Sequence, residues 1–181
     1  MTNQSTFCSK IIHIDDILQL KISKLNRIGF ILVLTFALFI VKGLSDLLFY
    51  FLESTGLLKD IQWLSPPSVE SENIYVLFVG AIIIAPIFET YVNQSLPYLL
   101  YERVAFFLNR KCLIMIISAL LFGLKHFYSL FYIIYGLMGG LVFMYAYMAR
   151  IREDKRTFLL IAASHSLFNL IIFSHQMYND C

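Results

Sequence analysis

The sequence predicts an all-α protein, a polytopic membrane helical bundle of about five transmembrane helices. Of its 181 residues, 59% are hydrophobic and only 14% are charged. In soluble proteins, roughly a quarter of all residues are charged. The mean hydropathy is +0.74. Five apolar stretches approach or reach the roughly 20 residues that a helix needs to cross a bilayer. We therefore expect an integral membrane protein, with the lipid bilayer as its surroundings.

The N-terminal segment, residues 1–27, is predicted to lie outside the bundle, which occupies residues 28–181. From Lys10 to Arg27, apolar residues recur at steps of three and four, and basic residues surround them. Such a stripe is typical of an amphipathic helix that lies in the headgroup region. A simple cytosolic lead-in explains the same sequence equally well.

Five predicted spans cover residues 28–52, about 73–97, 112–128, 131–149 and 157–174. Lys42 falls within the first span, and an ion pair with Asp46 one turn later would satisfy its charge. The second span is expected to bend or end near Pro97, because proline disrupts a helix. In the fourth span, Gly136 and Gly140 have the small-xxx-small spacing that lets another helix approach closely.

The distribution of Lys and Arg predicts the orientation in the membrane. Eleven of the 14 basic residues fall on one side: Lys10, Lys21, Lys24, Arg27, Arg103, Arg110, Lys111, Arg150, Arg152, Lys155 and Arg156. The other side carries Lys59, in a polar loop of residues 53–72 that includes Pro66 and Pro67, and Lys125 near a span end. Since basic loops stay in the cytoplasm, we expect a bacterial cytoplasmic membrane protein with its N-terminus inside and its C-terminus outside.

Three polar sites interrupt the apolar spans: Glu89 with Asn93, then His126, then His165 with Asn169. An ionisable group at membrane depth costs about 2.5 to 3.5 kcal/mol and usually faces a bundle interior or a watery cavity. The spacing of four residues between Glu89 and Asn93, between Phe122 and His126, and between His165 and Asn169 predicts a shared helix face for each pair. Either histidine alone could simply bond a neighbouring helix. Together, a carboxylate, two imidazoles and an amide are the parts needed to hydrolyse an amide bond.

At these residues, the chain resembles the CPBP family of intramembrane proteases, also called the CAAX protease and bacteriocin-processing or Abi family. The resemblance covers about residues 74–173. The family pattern is Glu-Glu-x-x-x-Arg, then Phe-x-x-x-His, then His-x-x-x-Asn. Phe122 and His126 match the second motif, and His165 and Asn169 match the third.

The first motif is met only in part. Glu89 stands at the first Glu position, but Thr90 replaces the second Glu and Gln94 replaces the Arg. A buried pair in which both charges are replaced by neutral groups can be nearly neutral for stability. We expect Thr90 and Gln94 to form a hydrogen-bonded pair that holds the helix around Glu89, with Asn93 as a further supporting residue.

The resemblance implies an endopeptidase that cuts a membrane-associated or lipidated peptide; eukaryotic members remove the C-terminal tripeptide of prenylated proteins. It implies that Glu89 is the general base that activates water and that His126 positions this water. It also implies that His165 and Asn169 stabilise the oxyanion. The expected partner is a membrane peptide or protein substrate, and no nucleic acid.

Glu89, His126 and His165 also match the two-His, one-Glu set that holds catalytic zinc. If Glu89 were a ligand, however, no second carboxylate would remain as base, because Thr90 stands at that position. We therefore favour metal-free activation of water, without another cofactor. Two other functions fit the same residues: a catalytically inactive immunity or scaffold protein of this family, and a small transporter built on the buried Glu and His.

Overall fold

The computed structural model describes residues 14–56 and 73–179, and within these ranges the chain is helical with short turns. Four helices are long and apolar enough to cross a membrane, and one further apolar helix is shorter. The predicted all-α membrane bundle is confirmed. The helices are α1 (residues 14–24), α2 (Arg27–Ser54), α3 (Ile74–Arg103), α4 (Lys111–Leu124), α5 (Leu130–Arg150) and α6 (Thr157–Asn179).

Most span boundaries agree with the prediction. α2, α5 and α6 begin within one residue of their predicted starts, whereas α3 does not end at Pro97 but runs on to Arg103. The predicted ion pair of Lys42 and Asp46 is present, with a distance of 2.7 Å between Nζ and Oδ2. Predictions for residues 1–13, for the loop 57–72 and for residues 180–181 lie outside the described residues.

α4 is shorter than predicted, because it ends at Leu124 instead of continuing to Tyr128. The ring nitrogen Nδ1 of His126 lies 3.0 Å from the carbonyl of Phe122, which is the helical partner of the His126 backbone N–H. That N–H bonds to the carbonyl of Gly123 instead. A side chain that competes for a backbone group in this way tightens and stops the helix. With 14 residues, α4 rises only about 21 Å.

α1 packs against the end of the bundle where α4 begins and α5 ends. Asp15 accepts a hydrogen bond from the Tyr145 hydroxyl at 2.6 Å and forms an ion pair with Lys111 at 3.1 Å. Arg150 of α5 is buried and donates to the carbonyl of Leu25 at 2.7 Å. The predicted helix is therefore present from residue 14, while its place in the headgroup region stays a prediction.

The loop between α5 and α6 is tied to the start of α2 through Asp154. Its carboxylate accepts a hydrogen bond from Arg27 Nε at 2.9 Å and another from the backbone N–H of Arg156. These two hydrogen bonds hold the pKa of Asp154 at about 2, so the carboxylate is ionised at neutral pH. The contact brings the beginnings of α2 and α6 to one end of the bundle.

α3 contains two π turns, Gly80–Ile84 and Tyr91–Ser95, and each is followed after one residue by a proline, Pro86 or Pro97. A proline ring clashes with the carbonyl four residues earlier and has no N–H to donate. The extra residue of a π turn widens the helix at this place, so the chain continues without breaking. The sequence analysis predicted the disturbance at Pro97 but not the one at Pro86.

The helices α4 and α5 pack closely through glycines, as the spacing of Gly136 and Gly140 predicts. A Cβ atom at Gly136 would lie 2.9 Å from the Cα of Gly123, and one at Gly140 would lie 2.9 Å from the Cα of Ala119. Such distances leave no room for a side chain. The close packing fixes the end of α4, and with it the turn that carries His126.

Gly140→Ala is expected to lower the free energy of unfolding by about 1 to 3 kcal/mol, because the added methyl group overpacks the contact with Ala119. Gly139→Ala is the matched control: its Cβ would meet Leu38 only at 3.9 Å, an ordinary contact. Thermal unfolding of the purified variants in one detergent measures both. Equal stabilities of the two variants would contradict the close packing.

Candidate active site

The four predicted catalytic side chains line one cavity of about 350 Å³ inside the bundle. Glu89 comes from α3, His126 from the turn after α4, and His165 and Asn169 from α6. The predicted convergence of the three polar sites is therefore present in the structure.

Glu89 and His165 lie close to each other in the cavity. His165 Nδ1 lies 3.9 Å from Glu89 Oε2, and the two side chains are 10% and 17% exposed. This distance is longer than a hydrogen bond, so the carboxylate is not tied to the imidazole. The rings of Phe122 and Phe143 lie 5.6 and 5.1 Å from that of His165 and hold it by packing. Phe122 of the second motif thus positions a histidine of the third.

His126 lies in the turn that follows α4, and its ring centre is 5.7 Å from that of Phe122, so the two side chains still lie on one side, as the spacing of four residues predicts. Because the Phe122 carbonyl can only accept, His126 Nδ1 donates to it and Nε2 is left as an acceptor. The imidazole lines the cavity. An acceptor held in this way can bind and orient a water molecule.

Asn169 donates through Nδ2 to the backbone carbonyl of Ala81, at 2.8 Å. That carbonyl lies in the first π turn, where the Ala85 N–H bonds to Gly80 instead and Pro86 has no N–H. Asn169 thus satisfies a carbonyl that the helix leaves open. Its second N–H hydrogen and its Oδ1 atom remain for other partners in the cavity.

The supporting positions of the first motif are not in the cavity. Thr90, Asn93 and Gln94 are almost completely buried on the side of α3 that faces the bundle core. Glu89 lines the cavity whereas Asn93 is packed in the core, and the second π turn begins between them, so the shared face of the two residues stays a prediction. Ser118 of α4 donates a hydrogen bond to the Asn93 carbonyl. Pro97, four residues after Asn93, has no backbone N–H that could donate to this carbonyl.

The predicted hydrogen bond between Thr90 and Gln94 is also wrong. Neither Thr90 Oγ1 nor the side-chain amide of Gln94 has a hydrogen-bond partner among the described residues. Gln94 lies within the second π turn, Tyr91–Ser95, and Thr90 directly precedes it, so the two residues do not have the spacing of a regular α-helix on which the prediction depended. Both residues are buried, but their side chains are not hydrogen-bonded to each other.

Lys125 is a buried residue next to the site whose position the sequence analysis missed. Its Nζ atom is buried, has no hydrogen-bond partner among the described residues and lies 5.2 Å from the centre of the Phe88 ring. It interacts electrostatically with Glu89, His126 and His165. A lysine directly before the motif histidine in an apolar run was the available signal, but it was read only as a basic residue near a span end.

A zinc site was the alternative for Glu89, His126 and His165. Among residues 14–56 and 73–179, no three His, Cys, Asp or Glu side chains form a group that could hold a metal ion. His126 Nδ1 is bonded to a backbone carbonyl, so only its Nε2 atom could be a ligand. The three side chains do not form a zinc site in this arrangement, and metal-free activation of water stays a prediction.

Comparison with known proteins identifies the family. The profile of the type II CAAX prenyl endopeptidase Rce1-like family matches residues 71–171, more than half of the chain. No curated protein and no solved structure matches the sequence. The matched region contains all three polar sites that line the cavity. The chain is therefore an integral membrane protein of the Rce1-like type II CAAX prenyl endopeptidase family.

Proposed function

We propose that this protein is an intramembrane endopeptidase that hydrolyses a peptide bond in a membrane-associated or lipidated peptide. The observation that carries the proposal is the convergence of Glu89, His126, His165 and Asn169 in one cavity at membrane depth. Buried ionisable groups are costly in a membrane, and a cavity that gathers three of them needs a functional reason. Family membership supports a protease reaction.

In the proposed mechanism, Glu89 takes a proton from a water molecule. His126 Nε2 orients this water by accepting a hydrogen bond from it. The water oxygen forms a bond with the carbonyl carbon, and the carbonyl electrons move to its oxygen. N–H groups of His165 and Asn169 stabilise this oxyanion. When the oxyanion collapses, the carbon–nitrogen bond breaks and the proton on Glu89 passes to the leaving amine.

The test is cleavage of a quenched fluorescent peptide that carries a farnesylated cysteine followed by three residues, by purified protein in detergent. Mass spectrometry identifies the bond that is cut. We expect activity that survives a zinc chelator. Loss of activity together with stoichiometric zinc on chelation would overturn the metal-free mechanism but not the peptidase.

The second candidate function is a catalytically inactive immunity or scaffold protein. The replacement of two first-motif residues by Thr90 and Gln94 favours it. Failure of the wild-type protein to cut prenylated, acylated and unmodified membrane peptides would support this candidate. The positions of Thr90 and Gln94 outside the cavity favour the peptidase instead, because neither residue contacts the space where a substrate would bind.

Lys125 adds a positive charge to the proposed reaction. Lys125 directly precedes His126 in the chain, and its buried Nζ atom has no hydrogen-bond partner among the described residues, so a charge on this group would be free to stabilise the oxyanion. Lys125→Met is expected to lower kcat at least about tenfold with little change in KM, and Lys125→Arg should restore part of the loss. Lys155→Met, in the exposed loop after α5, is the control. An unchanged kcat of Lys125→Met would remove this role.

A further inference from the structure

A second cavity, of about 450 Å³, lies between α1, α2, α4 and α5. Eleven of its twelve lining residues have no side-chain nitrogen or oxygen atom, and the twelfth is Tyr145, whose hydroxyl already donates to Asp15 at 2.6 Å. None of the twelve also lines the cavity that holds Glu89. Ligand pockets in proteins have volumes of roughly 300 to 1,000 Å³, so this separate, apolar cavity is large enough for a ligand.

The second cavity is a groove that opens toward the outside of the bundle. Phe30 and Leu34 are almost completely buried and form part of its inner wall, whereas Leu18 and Val33 are exposed and mark its opening. On α2 the groove runs from Phe30 to Ala37, about 10 Å along the helix axis. Because α2 is long and apolar enough to cross a membrane, the groove opens toward hydrocarbon. A space without polar partners does not hold ordered water.

Two lysines lie beside the groove on α1. Lys21 follows the lining residue Leu18 by three positions and is therefore its neighbour on the helix surface, and Lys24 is in turn the neighbour of Lys21. Both lysines are exposed, and neither forms an ion pair in the described part of the chain. Arg27 and Lys111, by contrast, are each paired with an aspartate. The groove thus has two positive charges at its edge that no protein carboxylate neutralises.

We propose that the groove binds one acyl chain of an anionic phospholipid, with the phosphate of its headgroup against Lys21 and Lys24. The apolar lining suits the chain. Each lysine near a membrane surface strengthens the attraction of anionic lipids about fivefold, so the charge beside the groove selects the headgroup. The bound lipid would hold α1 on the bundle, since Leu18 of α1 and Val33 of α2 contact the same chain. This site does not depend on the proposed peptidase reaction.

Native mass spectrometry of the purified protein with phosphatidylglycerol or phosphatidylcholine of identical acyl chains tests the headgroup. We expect one phosphatidylglycerol to be retained at least about tenfold better than phosphatidylcholine. The double variant Lys21→Gln/Lys24→Gln should lose most of this preference. Lys155→Gln, an equal change of charge per residue on the exposed loop after α5, is the control and should keep it. Equal retention of both lipids by the wild type, or an equal loss in the control, would overturn the proposed headgroup site.

A tryptophan placed in the groove tests the position of the chain. Ala37→Trp should fill the groove and abolish retention of phosphatidylglycerol, whereas Phe36→Trp, at an exposed position outside the lining, should not. The lipid should also raise the Tm of the wild type and of Phe36→Trp by at least about 2 °C, but not that of Ala37→Trp. If Ala37→Trp does not fold, Val33→Trp at the opening replaces it. Undiminished retention in the folded groove variant would overturn the proposal.

The lipid chain of a substrate is the rival occupant of the groove, and competition distinguishes the two. A farnesylated peptide added in excess should leave the bound phosphatidylglycerol in place, because the groove shares no lining residue with the cavity that holds Glu89. Displacement of the phospholipid by this peptide from the wild type would show that the groove receives the chain of a lipidated substrate, and the proposal of a resident phospholipid would then be wrong.

Discussion

Glu89→Gln is expected to abolish peptide hydrolysis and to leave the bundle folded. The amide has the shape of the carboxylate but cannot take a proton from water, and a positioned base contributes about 100- to 10,000-fold to such a reaction. Since Glu89 Oε2 lies 3.9 Å from His165 Nδ1, no hydrogen bond of the native bundle is lost. The rate of cleavage of the farnesylated peptide measures the effect, and thermal unfolding in detergent measures the folding.

The control for this experiment is Glu53→Gln. Glu53 lies near the end of α2, is exposed and does not line the cavity, so its neutralisation should change neither the rate nor the stability. If Glu89→Gln retains wild-type activity, Glu89 is not the base. If both variants lose activity equally, a general effect of lost negative charge explains the result.

Thr90→Glu alone, or Gln94→Arg alone, is expected to lower the free energy of unfolding by about 3 to 5 kcal/mol, because each places an unpaired charge at a completely buried position. The double variant should recover much of this loss, since the two charges lie on the same buried side of α3 and can pair. Unfolding of the three variants and the wild type in one detergent gives the coupling energy as a double-mutant cycle.

Lys42 and Asp46 supply the control cycle. They have the same spacing of four residues but are half-exposed, and exposed pairs at this spacing are coupled by about 0.3 to 0.5 kcal/mol. A coupling of Thr90→Glu with Gln94→Arg no larger than that of the control pair would show that the two positions are independent. The replacement of Glu by Thr90 and of Arg by Gln94 in the first motif would then be two unrelated changes.

The sequence was sufficient to predict the class of fold and most of the spans, because a long apolar segment in lipid has few alternatives to a helix. It also identified Glu89, His126, His165 and Asn169, since each is an exception to an apolar environment. Pairing at close range was predictable where both residues belong to one regular helix, as for Lys42 and Asp46.

The sequence was insufficient where a side chain changes the backbone. α4 ends early because the His126 ring occupies a carbonyl, and no periodicity of apolar residues records this. The hydrogen bond between Thr90 and Gln94 was predicted by counting along a regular α-helix, which α3 is not at Tyr91–Ser95. Lys125 was missed because its neighbours Phe88 and Glu89 come from another helix, a contact that only the folded chain shows.

The two π turns of α3 have a consequence for its orientation about the helix axis. Each turn holds one extra residue, and one residue corresponds to about 100° of rotation. α3 therefore consists of three α-helical segments, Ile74–Val79, Ala85–Thr90 and Leu96–Arg103, joined by the two π turns, and the middle segment carries Glu89. Loss of a single residue between Gly80 and Ile84 would turn this carboxylate away without changing any motif residue, so spacing to the prolines matters as much as the motif itself.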